Sequence, residues 1–175
     1  LRTVVEERSD KFVNYGRIWR QFINDGKQLL WTSERDNWNH IYLYDVQKGK
    51  VIHQITKGAW FMKEVQRVDE KKGEIYFSAC GVNPKEDPYL IHYYKIGMDG
   101  KNMVALTPEE GNHSAQYTYD YRYLLDTYSK VDAAPVTVLR DAQTGKLVKT
   151  LETADLSTLK KHGWQAPEVF VAKGR

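Results

Sequence analysis

The residues of this chain that could act together on a cation are its adjacent glutamates. Two such pairs occur, Glu6-Glu7 near the start and Glu109-Glu110 in the second half. Two neighbouring carboxylates can hold a partly desolvated ammonium group, because such a cation needs strong anionic acceptors. However, Glu6-Glu7 is typical of an exposed edge strand, and Glu109-Glu110 of a loop between sheets. We therefore expect neither pair to bind a ligand.

Serine, histidine and cysteine could supply nucleophiles or metal ligands, but their spacing does not favour either role. A Gly-x-Ser-x-Gly nucleophile elbow needs glycines on both sides of its serine. Such glycines are missing around Ser33, Ser78, Ser114, Ser129 and Ser157. The histidines without metal-ligand spacing are His40, His53, His92, His113 and His162. Cys80, in a strand-like run, is expected to be a small buried side chain. The sequence predicts no catalytic residue, no metal site and no cofactor in this chain.

Composition excludes several classes of function. The 26 basic and 23 acidic residues are interspersed, and the densest basic spots are only Lys71-Lys72 and Lys160-Lys161. Nucleic-acid binding is therefore not expected, since it needs a clustered basic surface. No apolar run approaches the roughly 18 residues of a membrane span. The chain begins at Leu1 in a charged, strand-like segment without a signal peptide, so we expect a segment of a longer protein.

Three stretches of the chain repeat the same order of strand, turn glycine and strand. Their turn glycines are Gly49, Gly100 and Gly145. A repeat of roughly 40–50 residues with several short strands per unit is typical of β-propeller blades. The 12 Tyr and 5 Trp also favour sheets, because such rings suit half-buried sheet faces. The predicted fold class is all-β: a partial β-propeller of about three four-stranded antiparallel blades, with one short C-terminal helix.

The predicted blades occupy residues 20–57, 58–109 and 113–152. Residues 1–19 are interpreted as the end of a preceding blade and the crossing from it. In the last segment, 153–175, acids followed by bases and a glycine predict a short helix over 154–163 and then an exit strand from Gln165 to Arg175. A three-blade arc leaves two blade faces uncovered, so we expect homo-oligomers at high concentration.

Several motifs together resemble one known family. The run from Trp31 to Asp45, the junction from Ile55 to Trp60, Val68-Asp69, and Leu106-Thr107-Pro108 followed by Gly111 carry the resemblance. They are similar to the N-terminal β-propeller of the dipeptidyl peptidase IV family of serine peptidases, over about residues 20–170. One departure is Asn37, where the family commonly has Gly. Because Asn tolerates positive φ, the hairpin is expected to form.

The resemblance implies a place and a function for this chain. It would be the last part of an eight-bladed propeller, ending near Pro167 to Phe170, just before an α/β-hydrolase domain that carries the catalytic residues. The full-length protein would be periplasmic or extracellular and would release dipeptides from peptides with a free N-terminus. The family's amine-binding glutamates belong to an earlier blade. The segment corresponding to 14–17 faces the substrate cavity in the family, which implies Tyr15 and Arg17 as substrate-binding residues; inter-blade packing is the simpler interpretation.

Two alternatives stay open at this point. The full-length protein could be an acylaminoacyl- or oligopeptidase-type relative with a similar propeller and a different preference for the end of the substrate. An aromatic-flanked Glu-Glu pair in upstream sequence would argue against that alternative. The other alternative is a non-enzymatic propeller that serves as a protein-binding platform. A Gly-x-Ser-x-Gly elbow downstream of Arg175 would argue against it.

Overall fold

The computed structural model describes residues 2–168 and 170–174, whose strands form three four-stranded antiparallel sheets. The first sheet contains β1 (Arg20–Ile23), β2 (Gln28–Ser33), β3 (His40–Asp45) and β4 (Lys50–Gln54). The second contains β5 (Phe61–Asp69), β6 (Glu74–Cys80), β7 (Ile91–Gly97) and β8 (Val104–Ala105). The third contains β9 (Asn112–Tyr117), β10 (Tyr123–Lys130), β11 (Ala133–Asp141) and β12 (Leu147–Thr153). The predicted all-β, partial β-propeller class is confirmed.

Successive sheets pack against one another, and the apolar core lies in the interfaces between them. Leu30, Ile41 and Phe77 are fully buried in the cluster shared by the first and second sheets. Tyr76 and Leu124 are buried in the cluster shared by the second and third. Adjacent residues of a strand point to opposite faces, so β6 is buried on both sides. This explains why its sequence is apolar without alternation.

The repeated turn glycines contact the chain of the preceding sheet. Gly100 has φ +78°, and a Cβ there would lie 3.1 Å from the carbonyl oxygen of Ile55. Gly145 has φ +72°, and a Cβ would lie 2.5 Å from the Ala105 oxygen and 2.8 Å from Leu106 Cα. Both positions exclude a side chain by backbone conformation and by lack of room. The glycine repeat thus marks the points where one blade touches the next.

At both crossings between sheets, a threonine of the crossing contacts a histidine of the preceding sheet. Thr56 Oγ1 accepts a 2.9 Å hydrogen bond from the backbone N–H that follows His40. The His40 ring contacts the same hydroxyl at 3.1 Å and the Gly58 carbonyl oxygen at 3.0 Å. Thr107 Oγ1 likewise accepts from the backbone N–H after His92, at 2.9 Å, and His92 Nδ1 lies 2.8 Å from the Thr107 carbonyl oxygen. The two histidine rings therefore serve as hydrogen-bond partners for buried polar groups of the crossings.

A buried charge cluster joins the third sheet to the crossing before it. Arg140 is 1% exposed, and its Nε donates to Asp126 Oδ2 at 2.8 Å. Its other nitrogens donate to the Glu109 carboxylate and to the Gly145 carbonyl oxygen. Asp126 Oδ1 in turn lies 2.8 Å from His113 Nδ1. Burial alone would lower the pKa of Arg140, but its hydrogen bonds to Asp126 and Glu109 raise that pKa above its ordinary value.

The C-terminal segment differs in part from the sequence prediction. A helix forms over Ser157–Lys161, within the predicted span of 154–163. By contrast with the exit strand predicted from Gln165 to Arg175, the described residues 165–168 and 170–174 form no strand; Val169 and Arg175 lie outside the description. A strand requires a hydrogen-bonded neighbour, and the chain has left the third sheet by this point. No helix in the described part of the chain has the length and apolarity to cross a membrane.

Alanine substitutions at two glycines test the contact between blades. Gly145→Ala should lower the free energy of unfolding by about 3 kcal/mol, because the methyl group both strains the backbone and overlaps the preceding crossing. Gly73→Ala is the matched control: φ is +65°, but no atom lies within 4 Å of the added methyl group. Its cost should be about 1 kcal/mol. Urea denaturation measures both values, and equal losses would contradict the close packing at Gly145.

A second pair of variants tests the buried cluster. Arg140→Met should lower the free energy of unfolding by about 3–5 kcal/mol, because it leaves the buried Asp126 carboxylate without its guanidinium. Arg122→Met removes an ion pair to Asp120 whose side chains are 72% and 54% exposed, so its cost should stay below about 0.5 kcal/mol. Thermal or urea unfolding separates the two. A small loss at Arg140 would mean that the cluster does not stabilise the fold.

Candidate functional site

A cavity of about 280 Å³ lies beside the first sheet, between the chain that leads into β1 and the β2–β3 turn. Its lining carries charges of both signs, including Glu7, Arg17 and Arg35. Binding sites for small molecules are concave and contain a few convergent polar groups that orient the ligand. The cavity meets this description and is therefore the candidate functional site.

The sequence-predicted site residues lie on one short turn beside this cavity. A 3₁₀ turn spans Tyr15–Arg17. Arg17 lines the cavity, whereas Tyr15 is 81% exposed and lies outside the lining. Within the described part of the chain, Arg17 forms no ion pair, so its guanidinium donors can reach a ligand.

Glu7 holds one wall of the cavity, formed by residues 8–18, against the first sheet. Its Oε1 accepts hydrogen bonds from Trp31 Nε1 at 2.8 Å and from Arg35 Nη2 at 2.5 Å. Its Oε2 accepts from Ser33 Oγ at 2.9 Å. Trp31 and Ser33 belong to β2 and are two residues apart, so their side chains lie on the same face of the sheet. One carboxylate therefore ties the entering chain to two side chains of β2 and to Arg35 in the turn that follows it.

Arg35 is itself held in place by aromatic residues. Its guanidinium lies 4.5 Å above the centre of the Tyr42 ring and donates to the Tyr44 hydroxyl at 2.5 Å. Burial would lower the pKa of Arg35, but hydrogen bonds to Tyr44 and Glu7 raise it above its ordinary value. Burial, together with Asp36, raises the pKa of Tyr42 to about 12. The cation and the ring beneath it therefore keep their charge states at neutral pH.

The two glutamate pairs already have partners within the chain. Glu6 pairs with Arg8 at 2.7 Å on the surface, while the Glu7 side chain is 14% exposed and accepts the three hydrogen bonds described above. In the other pair, Glu109 binds the buried guanidinium of the third sheet, and Glu110 lies 3.1 Å from Lys130. Each of these carboxylates thus has a cationic partner within the chain.

His113 and Asp126 form a buried pair that sequence analysis did not anticipate. The contact of His113 Nδ1 with Asp126 at 2.8 Å has the geometry that orients the base in a catalytic triad. However, the other ring nitrogen lies 2.8 Å from the Glu109 carbonyl oxygen and faces no serine hydroxyl. The only signal for this pair is the alternation of β10, which brings Asp126 to the same face as the buried Leu124. The pair is structural.

Other reactive side chains do not assemble into a second site. Burial raises the pKa of the Cys80 thiol, which disfavours the thiolate needed of a nucleophile. Among residues 2–168 and 170–174, no group of three or more His, Cys, Asp or Glu side chains could hold a metal ion. Sequence analysis missed the three hydrogen bonds that Glu7 accepts beside the cavity. The signal that could have indicated them is the spacing of their donors, Trp31, Ser33 and Arg35, at every second residue.

Comparisons with known proteins agree on one family. The family model described as the dipeptidyl peptidase IV (DPP IV) N-terminal region matches residues 1–135. Dipeptidyl peptidase 4 of Trichophyton rubrum is 28% identical over 149 residues, which is 84% of this chain and 19% of that protein. Dipeptidyl peptidase 4 of Trichophyton equinum is 27% identical over the same shares of both chains.

A solved structure gives the same result at the level of the fold. The crystal structure of Porphyromonas gingivalis dipeptidyl peptidase 4 superposes with a TM-score of 0.64 and 25% identity, over 88% of this chain and 21% of that one. The chain thus spans about a fifth of the length of the relatives it matches. Since the family model covers most of the sequence, the chain belongs to the dipeptidyl peptidase IV N-terminal family.

Proposed function

We propose that this chain is the propeller segment of a dipeptidyl peptidase IV-like serine exopeptidase that releases N-terminal dipeptides. The observation that carries the proposal is the match of residues 1–135 to the N-terminal region of that family. The relatives are named dipeptidyl peptidases, which supports a hydrolase as the full-length protein. As in that family, the protein would act outside the cytoplasm, in the periplasm or the extracellular space.

In this proposal the segment shapes and gates the substrate cavity, and the chemistry occurs on its own C-terminal α/β-hydrolase domain. No Gly-x-Ser-x-Gly elbow occurs in the sequence, and both nitrogens of His113 are engaged inside the fold. The chain alone would therefore have no peptidase activity. Its contribution is to exclude folded proteins and to orient the end of the peptide that enters.

Arg17 and Tyr15 are the residues that we assign to the peptide in this proposal. Arg17 lines the cavity, where its guanidinium can donate to a peptide carbonyl oxygen. Tyr15 lies on the same turn with its ring exposed, where it can pack against a longer substrate or against the hydrolase domain. Together they would offer one charged and one aromatic contact at the cavity rim.

The full-length protein should cleave Gly-Pro-nitroanilide, and the N-acetylated form of the same compound should resist cleavage. The reason is that a dipeptidyl peptidase must recognise the free amine, which acetylation removes. The isolated chain, at equal concentration, should be inactive on both. Preference for the acetylated compound would favour an acylaminoacyl-type enzyme. Inactivity of the full-length protein on both compounds would reject the proposal in favour of a binding platform.

Arg17→Met in the full-length protein should raise KM for Gly-Pro-nitroanilide about tenfold, since a hydrogen bond from a charged group contributes about 1.5–3 kcal/mol. The matched control is Arg20→Met, which removes an exposed arginine of β1 that does not line the cavity. That control should leave KM unchanged. If both variants raise KM equally, general charge rather than position explains the effect, and Arg17 is not a substrate-binding residue.

A further inference from the structure

We propose that Glu7 is a positioning residue for substrate binding: its carboxylate fixes the cavity wall over residues 8–18 and thereby determines peptide affinity. The inference rests on the proposed function for its substrate. It goes further by assigning a role to a residue whose carboxylate is already engaged by three donors of this chain. The argument depends on how this wall is attached to the first sheet.

The wall is attached to the sheet at its two ends. At one end Glu7 accepts hydrogen bonds from Trp31, Ser33 and Arg35. At the other end the backbone N–H of Trp19 donates to Thr32 Oγ1 at 2.8 Å. The Thr32 backbone N–H donates in return to the Trp19 carbonyl oxygen at 3.0 Å. Both attachments use β2 or the turn that follows it.

Between these ends, the hydrogen bonds found within 8–18 are local. Ser9 Oγ accepts from the backbone of Lys11 and Phe12 at 3.2 and 3.3 Å. The backbone N–H of Arg17 donates to the Asn14 carbonyl oxygen at 3.3 Å. These bonds shape the wall without attaching it to the sheet. The position of Arg17 in the cavity therefore depends on the two end attachments.

A carboxylate is the side chain that suits three donors. Trp31, Ser33 and Arg35 each donate to Glu7, and an ionised carboxylate offers only acceptors. An amide in its place would turn an NH₂ group toward one of these donors and would lose the ion pair with Arg35. Upstream, Val4 and Val5 pack against the cluster that contains Leu29. Because this packing is apolar and does not use the carboxylate itself, loss of the carboxylate should displace the wall without detaching the preceding chain.

Glu7→Gln in the full-length protein tests the role. We expect KM for Gly-Pro-nitroanilide to rise about tenfold while kcat changes less than about twofold, because a displaced wall weakens binding of substrate and transition state alike. Limited trypsin digestion should show faster cleavage after Lys11, as expected when local opening becomes easier. Glu6→Gln is the matched control: the Glu6 carboxylate is 59% exposed and contacts only Arg8 among the described residues, so KM and cleavage after Lys11 should stay unchanged.

A second variant tests the same contact independently, in case Glu7→Gln does not fold. Arg35→Lys keeps the charge but loses the planar fork, and it should raise KM in the same direction. The double variant should have a KM no higher than the larger single effect, because both changes break one contact. Unchanged trypsin cleavage in both single variants would overturn the proposal. Faster cleavage with an unchanged KM would overturn the affinity role.

The proposed function is judged separately, on the wild-type protein. If the wild-type protein does not cleave the compound, the proposed function fails and the affinity role fails with it. Trypsin cleavage of the variants still decides whether Glu7 anchors the wall. If the wild-type protein is active and Glu7→Gln has unchanged KM and cleavage, the proposed function stands and only the positioning role is refuted.

Discussion

Wherever the chain enters or leaves a sheet, backbone polar groups become buried and must find partners inside the protein. The crossings at Thr56 and Thr107 satisfy this requirement with a threonine hydroxyl beside a histidine ring. Where the chain enters β1, the Thr32 hydroxyl accepts from the backbone N–H of Trp19 in the same way, while Glu7 adds hydrogen bonds from side chains of the first sheet and the turn after β2. Between these two places the hydrogen bonds are local, and the cavity lies between this segment and the β2–β3 turn. The crossings are closely packed around their paired polar groups, whereas a cavity lies beside the chain that enters β1.

Sequence predicted the features that local patterns determine. The glycine repeat predicted three blades, and Gly145 shows why a glycine recurs: its turn has positive φ and touches the preceding crossing. Asn37 was expected at a positive-φ position, and its φ of +75° confirms this. These predictions succeeded because the constraint acts on the residue itself. No knowledge of distant neighbours was needed.

The remaining features depend on strand register, which the sequence does not display. His113, Asp126 and Arg140 come from three strands and meet as diagonal neighbours, so their contact follows only from the pairing of β9, β10 and β11. Glu7 was expected to be an exposed edge residue, but Trp31 and Ser33, two residues apart on β2, lie on one face and donate to it. Whether such a residue is exposed or buried among partners therefore depends on which strand lies opposite it.

The buried cluster and the segment that enters β1 are attached in different ways. Arg140 joins the third sheet to the crossing before it through several buried contacts, so substitution there should disturb both. The wall that carries Arg17 is hydrogen-bonded to the first sheet and the turn after β2 at its two ends. A wall that is already ordered pays little conformational entropy when a peptide binds. In the proposed function, such a segment would tune peptide affinity while the chemistry depends on groups outside it, and this separation would follow from the way the chain enters its first strand.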